Sequence, residues 1–181
     1  KEGAVTMRES IAGVIARIEW VIDRIGQAAS LLALVIIVLM ACNVLLRYSL
    51  SLGTVWAQEL EWHLLAALIL FGMSYALLRG DNVRVDIFYS KYSPQTKRWV
   101  DIASAILTMA IAVIMVVLSW KYVGQSYAIA EKSPDPGGIA MRWLLKSLLP
   151  LGYGLLFLQS FGALLKLWFL DKNAEPESAN A

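Results

Sequence analysis

Four long uncharged stretches set the pattern of the chain. The first runs from about Ala28 to Leu46, with Cys42 and Asn43 as its notable polar positions. The second runs from about Leu60 to Leu78, and its uncharged part begins only at Leu64, because Glu61 and His63 occupy its first turn. The third runs from Ile102 to Trp120. The fourth runs from Ser147 to Leu165 and continues past Lys166 to Leu170. A hydrocarbon core about 30 Å thick takes roughly 20 helical residues to cross. None of these stretches alternates polar with apolar residues, as a membrane strand would. A helix satisfies its own backbone groups in lipid. The pattern therefore predicts an all-α membrane protein with four transmembrane helices, spans about 28–46, 60–78, 102–120 and 147–170.

The segment ahead of the first span has a different period. Ile11, Val14, Ile15, Ile18, Val21, Ile22 and Ile25 recur at three- and four-residue steps, with charged residues filling much of the other face. This predicts an amphipathic N-terminal helix over 1–27 lying in the membrane surface. A soluble helix packed on a partner is the other reading. Charges at Arg8, Glu9, Arg17, Glu19, Asp23 and Arg24 leave no uncharged core for an export signal, so none is expected. Met7 is a candidate initiator, which would put residues 1–6 ahead of the natural start. The division is then 1–27 surface helix, 28–170 transmembrane domain and 171–181 a polar tail expected to be disordered.

Tryptophan and basic residues orient the spans. Seven tryptophans (Trp20, Trp56, Trp62, Trp99, Trp120, Trp143 and Trp168) lie outside or near the ends of the spans. Indole rings favour the headgroup level, so this is an aromatic belt at both faces. With both termini in the cytoplasm, eleven basic residues fall inside and five outside. The positive-inside rule then places both termini in the cytoplasm.

Composition narrows the function classes. The chain is 59% hydrophobic and 17% charged over 181 residues. Ordinary soluble domains are about 45–50% apolar and about 25% charged, which argues against a water-soluble enzyme. A net charge of +2 is too balanced to suggest nucleic-acid binding. The single cysteine, Cys42, excludes an internal disulfide or a CxxC pair. The single histidine, His63, excludes bis-histidine haem ligation within the chain.

Candidate chemistry gathers at the edge of the second span. Glu59 and His63 are four apart and share a helix face, with Trp56 three residues before Glu59. Arg47 ends the first span at the same membrane face. A tight hairpin would bring Arg47 to Glu59 or Glu61 as an interfacial ion pair. Contact with a partner subunit and proton transfer are the other readings of these residues. No ionisable group stands at mid-depth, where a self-sufficient ion-coupled transporter holds its substrate. The chain is therefore read as a scaffold or accessory subunit, not an enzyme, with no catalytic residue, metal or cofactor.

Two further segments carry signals. Gly72, Ala76 and Gly80 are spaced by four and form a smooth ridge that lets another helix approach closely. Gly80 can end the second span in the left-handed conformation. It leads into Asp81 to Phe88, where Val83, Val85 and Ile87 alternate with Arg84 and Asp86. In the segment between spans three and four, Ser133 to Gly138 must turn. By the orientation above it faces outside, so Pro134, Asp135, Pro136, Gly137 and Gly138 form a candidate periplasmic docking loop.

These residues carry a family resemblance. Trp56-Ala57-Gln58-Glu59-Leu60 resembles the Trp-x-x-Glu opening of the second helix in the small membrane subunit of tripartite ATP-independent periplasmic (TRAP) transporters. Phe71-Gly72, Ala76, Arg79-Gly80 and Val83-Arg84-Val85-Asp86 resemble that family's most recognisable stretch. Asn43 to Arg47 with Tyr48 resemble its first-helix end, and Asn82 stands where it commonly has a histidine. The resemblance implies a bacterial inner-membrane subunit that works with two partners. One is a periplasmic binding protein that captures an organic acid. The other is a large membrane subunit that carries the substrate and the coupling ion. Under it, Arg47, Trp56, Glu59, Glu61, Gly72, Ala76, Arg79, Gly80, Arg84 and Asp86 are partner-contact or structural residues. The alternative class is a membrane anchor or accessory subunit of a respiratory or photosynthetic complex. A self-contained membrane enzyme or channel is the third.

Overall fold

The computed structural model describes residues 2–81 and 89–170. The described residues are helical with turns and contain no strand. Helix α1 spans Glu2–Leu50, α2 Val55–Arg79, α3 Pro94–Ala128, the short α4 Arg142–Lys146, and α5 Leu148–Leu165. A π-helical turn, Lys166–Leu170, extends α5. Four helical stretches are long and apolar enough to cross a membrane, and each expected span falls within one of them.

Local chemistry accounts for the ends. No proline occurs before Pro94, so nothing forces a break in α1 or α2. Gly80 closes α2 in the left-handed conformation (φ 73°), where its N–H and that of Asp81 reach back to Leu77 and Ala76. At the start of α3, the Ser93 hydroxyl accepts from the Thr96 N–H at 3.2 Å and Pro94 takes the first helical position. Pro150 sits in the first turn of α5, where its missing N–H leaves no hydrogen bond unmade.

The N-terminal segment runs on into the first span with no break in the helix. The amphipathic segment is not a separate element but the first half of α1, a 49-residue helix that at 1.5 Å per residue is about 74 Å long. The reason is visible in the packing. Ile15, Ile18, Ile22 and Ala29 are buried within the chain itself, so the apolar seam runs up to the start of the span.

Helix α5 is the hub. It packs against α1, α2 and α3, while α3 packs chiefly on α5 and on the short α4. The close approaches run through three glycines. A Cβ on Gly152 would lie 2.6 Å from the Leu70 Cβ, one on Gly162 3.3 Å from Ile18, and one on Gly26 would clash with the edge of the Tyr75 ring. The expected ridge on α2 is not used within the chain: Gly72 and Gly80 face open space. Six of the seven tryptophans are exposed. The seventh, Trp143, meets Tyr127 edge to face at 5.3 Å.

Candidate functional site

The polar chemistry concentrates at the end of the bundle that holds the 51–54 and 129–141 turns. Glu59 and Glu61 lie in the first two turns of α2, and both are buried. Being two residues apart, they point to different sides of the helix. Glu61 turns toward α1, where the Asn43 side-chain amide donates to it at 3.2 Å. Glu59 turns toward the loop that follows α3.

That loop is a narrow-necked turn. The Ser133 N–H donates to the Ile139 carbonyl at 3.2 Å, and the Arg142 N–H to the Glu131 carbonyl at 3.2 Å. Between them Gly137, at φ 82°, reverses the chain, and the Gly138 N–H returns to the Asp135 carbonyl. Glu59 clasps the neck. One carboxylate oxygen accepts from the Ser133 hydroxyl, and the other from the Ile139 N–H at 2.6 Å. A Cβ on Gly138 would sit 2.8 Å from the Glu59 carboxylate, so the residue there has to lack a side chain. Pro134, Asp135, Pro136 and Gly137 form the exposed tip.

An ion pair braces the same neck. Lys146 Nζ lies 2.5 Å from Glu131 Oε2 and 3.9 Å from the centre of the Tyr122 ring. The hydrogen bond from the Lys146 ammonium holds the Glu131 carboxyl below the ordinary range. Beside this pair is an open cleft of about 320 Å³, with His63, Tyr122, Glu131, Arg142 and Lys146 around it and Leu70, Leu145 and Leu149 among its apolar walls. The His63 Nδ1 meets the Glu59 carbonyl, which can only accept, and Nε2 has no hydrogen-bond partner among the described residues.

The expected hairpin pair does not form. Arg47 is exposed and makes no ion pair with Glu59 or Glu61 among the described residues; its side chain lies near Gly53 instead. Trp56 is exposed at the same end. At the opposite end, Arg79 pairs with Asp23 at 2.5 Å and covers the Tyr75 ring at 5.1 Å. Ala76 is half-buried. The guanidinium groups of Arg8 and Arg98 donate to the carbonyls of Phe169 and Leu167 in the π-helical turn, at 3.2 and 3.0 Å. Arg84 and Asp86, with Asn82, Val83, Val85 and Ile87, lie outside the described residues, as does the tail 171–181.

The structure thus joins two candidate groups that sequence reasoning kept apart, Glu59 and the 134–138 loop. It adds Asn43, Ser133, Ile139, Glu131 and Lys146. The Ser-Pro-Asp-Pro-Gly-Gly turn was the available signal for the last pair, since a tight reversal brings charges on its two flanks together. This arrangement is mechanical: it fixes a loop on the helix bundle. Among the described residues no three His, Cys, Asp or Glu side chains converge as a metal site.

Comparison with known families gives one match. The family described as "Tripartite ATP-independent periplasmic transporters, DctQ component" matches residues 36–170, well over half of the chain. No curated protein matches it.

Proposed function

Because the chain belongs to the DctQ-component family of tripartite ATP-independent periplasmic transporters, we propose that it is the scaffold on which its transporter's large, ion-coupled membrane subunit is held. It is a small membrane subunit of that class, and this replaces the respiratory or photosynthetic anchor as the reading of its four helices. The transported substrates are organic acids delivered by a periplasmic binding protein.

One observation supports the scaffold role above others. The helices leave most of their apolar surface uncovered by the chain itself. In the most apolar window of the first span 11% of residues are buried, and in that of the third 17%. Gly72 adds a site on α2 where a helix could come close without meeting this chain. Lipid covers part of that surface, and the large subunit covers the rest.

The orientation follows from the basic residues. Both termini lie in the cytoplasm of a bacterial inner-membrane protein. The clasped 129–141 loop then faces the periplasm, and its tip, Pro134 to Gly137, is the contact offered to the binding protein. The pairing of Glu59 with the loop neck gives that contact a fixed position. Arg47, Trp56, Glu61, Ala76, Arg79, Gly80, Arg84 and Asp86 are partner-contact or structural residues in this reading.

Affinity purification from native membranes in mild detergent, with mass spectrometry of the co-purifying chains, tests this reading. A polytopic membrane partner near one to one is the expected result. Recovery with haem- or pigment-bearing oxidoreductase subunits would overturn it.

A further inference from the structure

The cleft beside the loop neck offers more hydrogen-bond donors than the chain uses. Arg142 is half-buried at its edge. Its guanidinium carries five N–H donors, yet no hydrogen bond or ion pair joins it to a described residue; it lies in the field of Glu59 and Glu131. Both carboxylates are already engaged. Glu59 is bound by Ser133 and Ile139 behind the neck, and Glu131 by Lys146. The free His63 nitrogen adds a donor or an acceptor according to its protonation. The wall formed by Leu70, Leu145 and Leu149 is apolar.

Unused donors beside an apolar wall select one kind of ligand. It must bring acceptor oxygens and a negative charge to Arg142, and hydrocarbon to the leucines. A volume of about 320 Å³ is at the small end of ligand pockets, enough for a headgroup and the first methylenes but not for whole acyl chains. The cleft lies at an end of the membrane-spanning helices, beside Trp143 and Tyr127, where headgroups are found. We propose that this cleft binds a phosphate group, carried by an anionic phospholipid whose chains continue along the apolar wall. A free phosphate ion would satisfy Arg142 but leave the leucines without a partner.

The test uses the full chain with whatever membrane subunit accompanies it in mild detergent. Native mass spectrometry follows the retention of phosphatidylglycerol, of diacylglycerol with the same acyl chains, and of added inorganic phosphate. One phosphatidylglycerol should be retained about tenfold better than the diacylglycerol, which lacks the phosphate, the effect of one charge-assisted hydrogen-bonding group. Arg142→Gln should lower that retention by about tenfold. Lys132→Gln, at an exposed cation next to Glu131, should leave it unchanged. Should Arg142→Gln fail to fold, competition between the two lipids on the wild-type protein decides. Equal retention of both lipids, or retention indifferent to Arg142→Gln, overturns the proposal. Displacement of the lipid by millimolar inorganic phosphate would assign the site to the free ion and overturn the lipid reading.

Discussion

Gly152 is the place where a single methyl group should have a measurable cost. An alanine there sets its Cβ 2.6 Å from the Leu70 Cβ and 3.1 Å from the Leu70 carbonyl oxygen. Unstrained contact starts near 3.4 Å, so α2 and α5 have to separate locally by about 0.8 Å. The opposing atoms are a Cβ and backbone, which cannot swing aside as a side-chain tip can. Overpacking of this kind costs about 1–3 kcal/mol. The substitution also brings a gain, since alanine is the better helix former by roughly 0.5–1 kcal/mol. Gly154, two residues on, isolates that gain, because its added Cβ meets nothing within 4 Å. The difference between Gly152→Ala and Gly154→Ala is therefore the packing cost alone. At about 2–4 °C per kcal/mol for a chain of this size, Gly152→Ala should melt roughly 2–12 °C below Gly154→Ala. Thermal unfolding of both variants in the same detergent, followed by tryptophan fluorescence, measures it. If Gly152→Ala melts at or above Gly154→Ala, the close α2–α5 contact is wrong.

Three other outcomes are expected. Glu59→Gln should speed hydrogen exchange at the Ile139 amide by about tenfold or more, since an amide oxygen replaces a charged acceptor; Glu61→Gln, on the other side of α2, should leave that amide unchanged. The Glu131 carboxyl is held below its ordinary value of 4.5 by Lys146, so its stabilisation of the neck is complete above that value and lost as pH falls through the lower folded one. Proteolytic protection of the loop should accordingly stay flat from pH 7 to about 5 and fall below about 4.5, and Lys146→Met should weaken that pH dependence without removing it, because the Glu59 carboxylate still clasps the neck. Gly72→Leu should leave the melting temperature of the isolated chain within a few degrees but reduce recovery of the large subunit in co-purification; full recovery would remove the α2 ridge from the interface.

The helices were legible because lipid imposes one simple requirement, about 20 apolar residues in a row. The end of α2 was equally legible, since only Gly80 in that stretch accepts a left-handed backbone without strain. The N-terminal boundary was not. Ile15, Ile18 and Ile22 have the period of a surface helix and of a buried seam alike, and only tertiary packing distinguishes the two. Nor could the sequence say which glycines touch a neighbour. Gly72 and Gly152 look equivalent in it, yet one faces open space and the other the Leu70 backbone. The partner of Glu59 was hidden for another reason. Charge matching pointed to Arg47, but one of the donors is the Ile139 N–H, 80 residues away, and every residue except proline carries such a group. A backbone donor has no sequence signature, so a carboxylate that chooses one over a nearby arginine cannot be anticipated from charges.

The central position of α5 has a consequence for biosynthesis. Helices α1 and α2 can pair as soon as both have left the ribosome, because their contact is with each other. Helix α3 emerges next and has little to hold until α5, the last span, is inserted. For that interval it stands alone in lipid, open to quality-control proteases and to wrong neighbours. A chain stopped within α5 would therefore lose two helices from the fold rather than one.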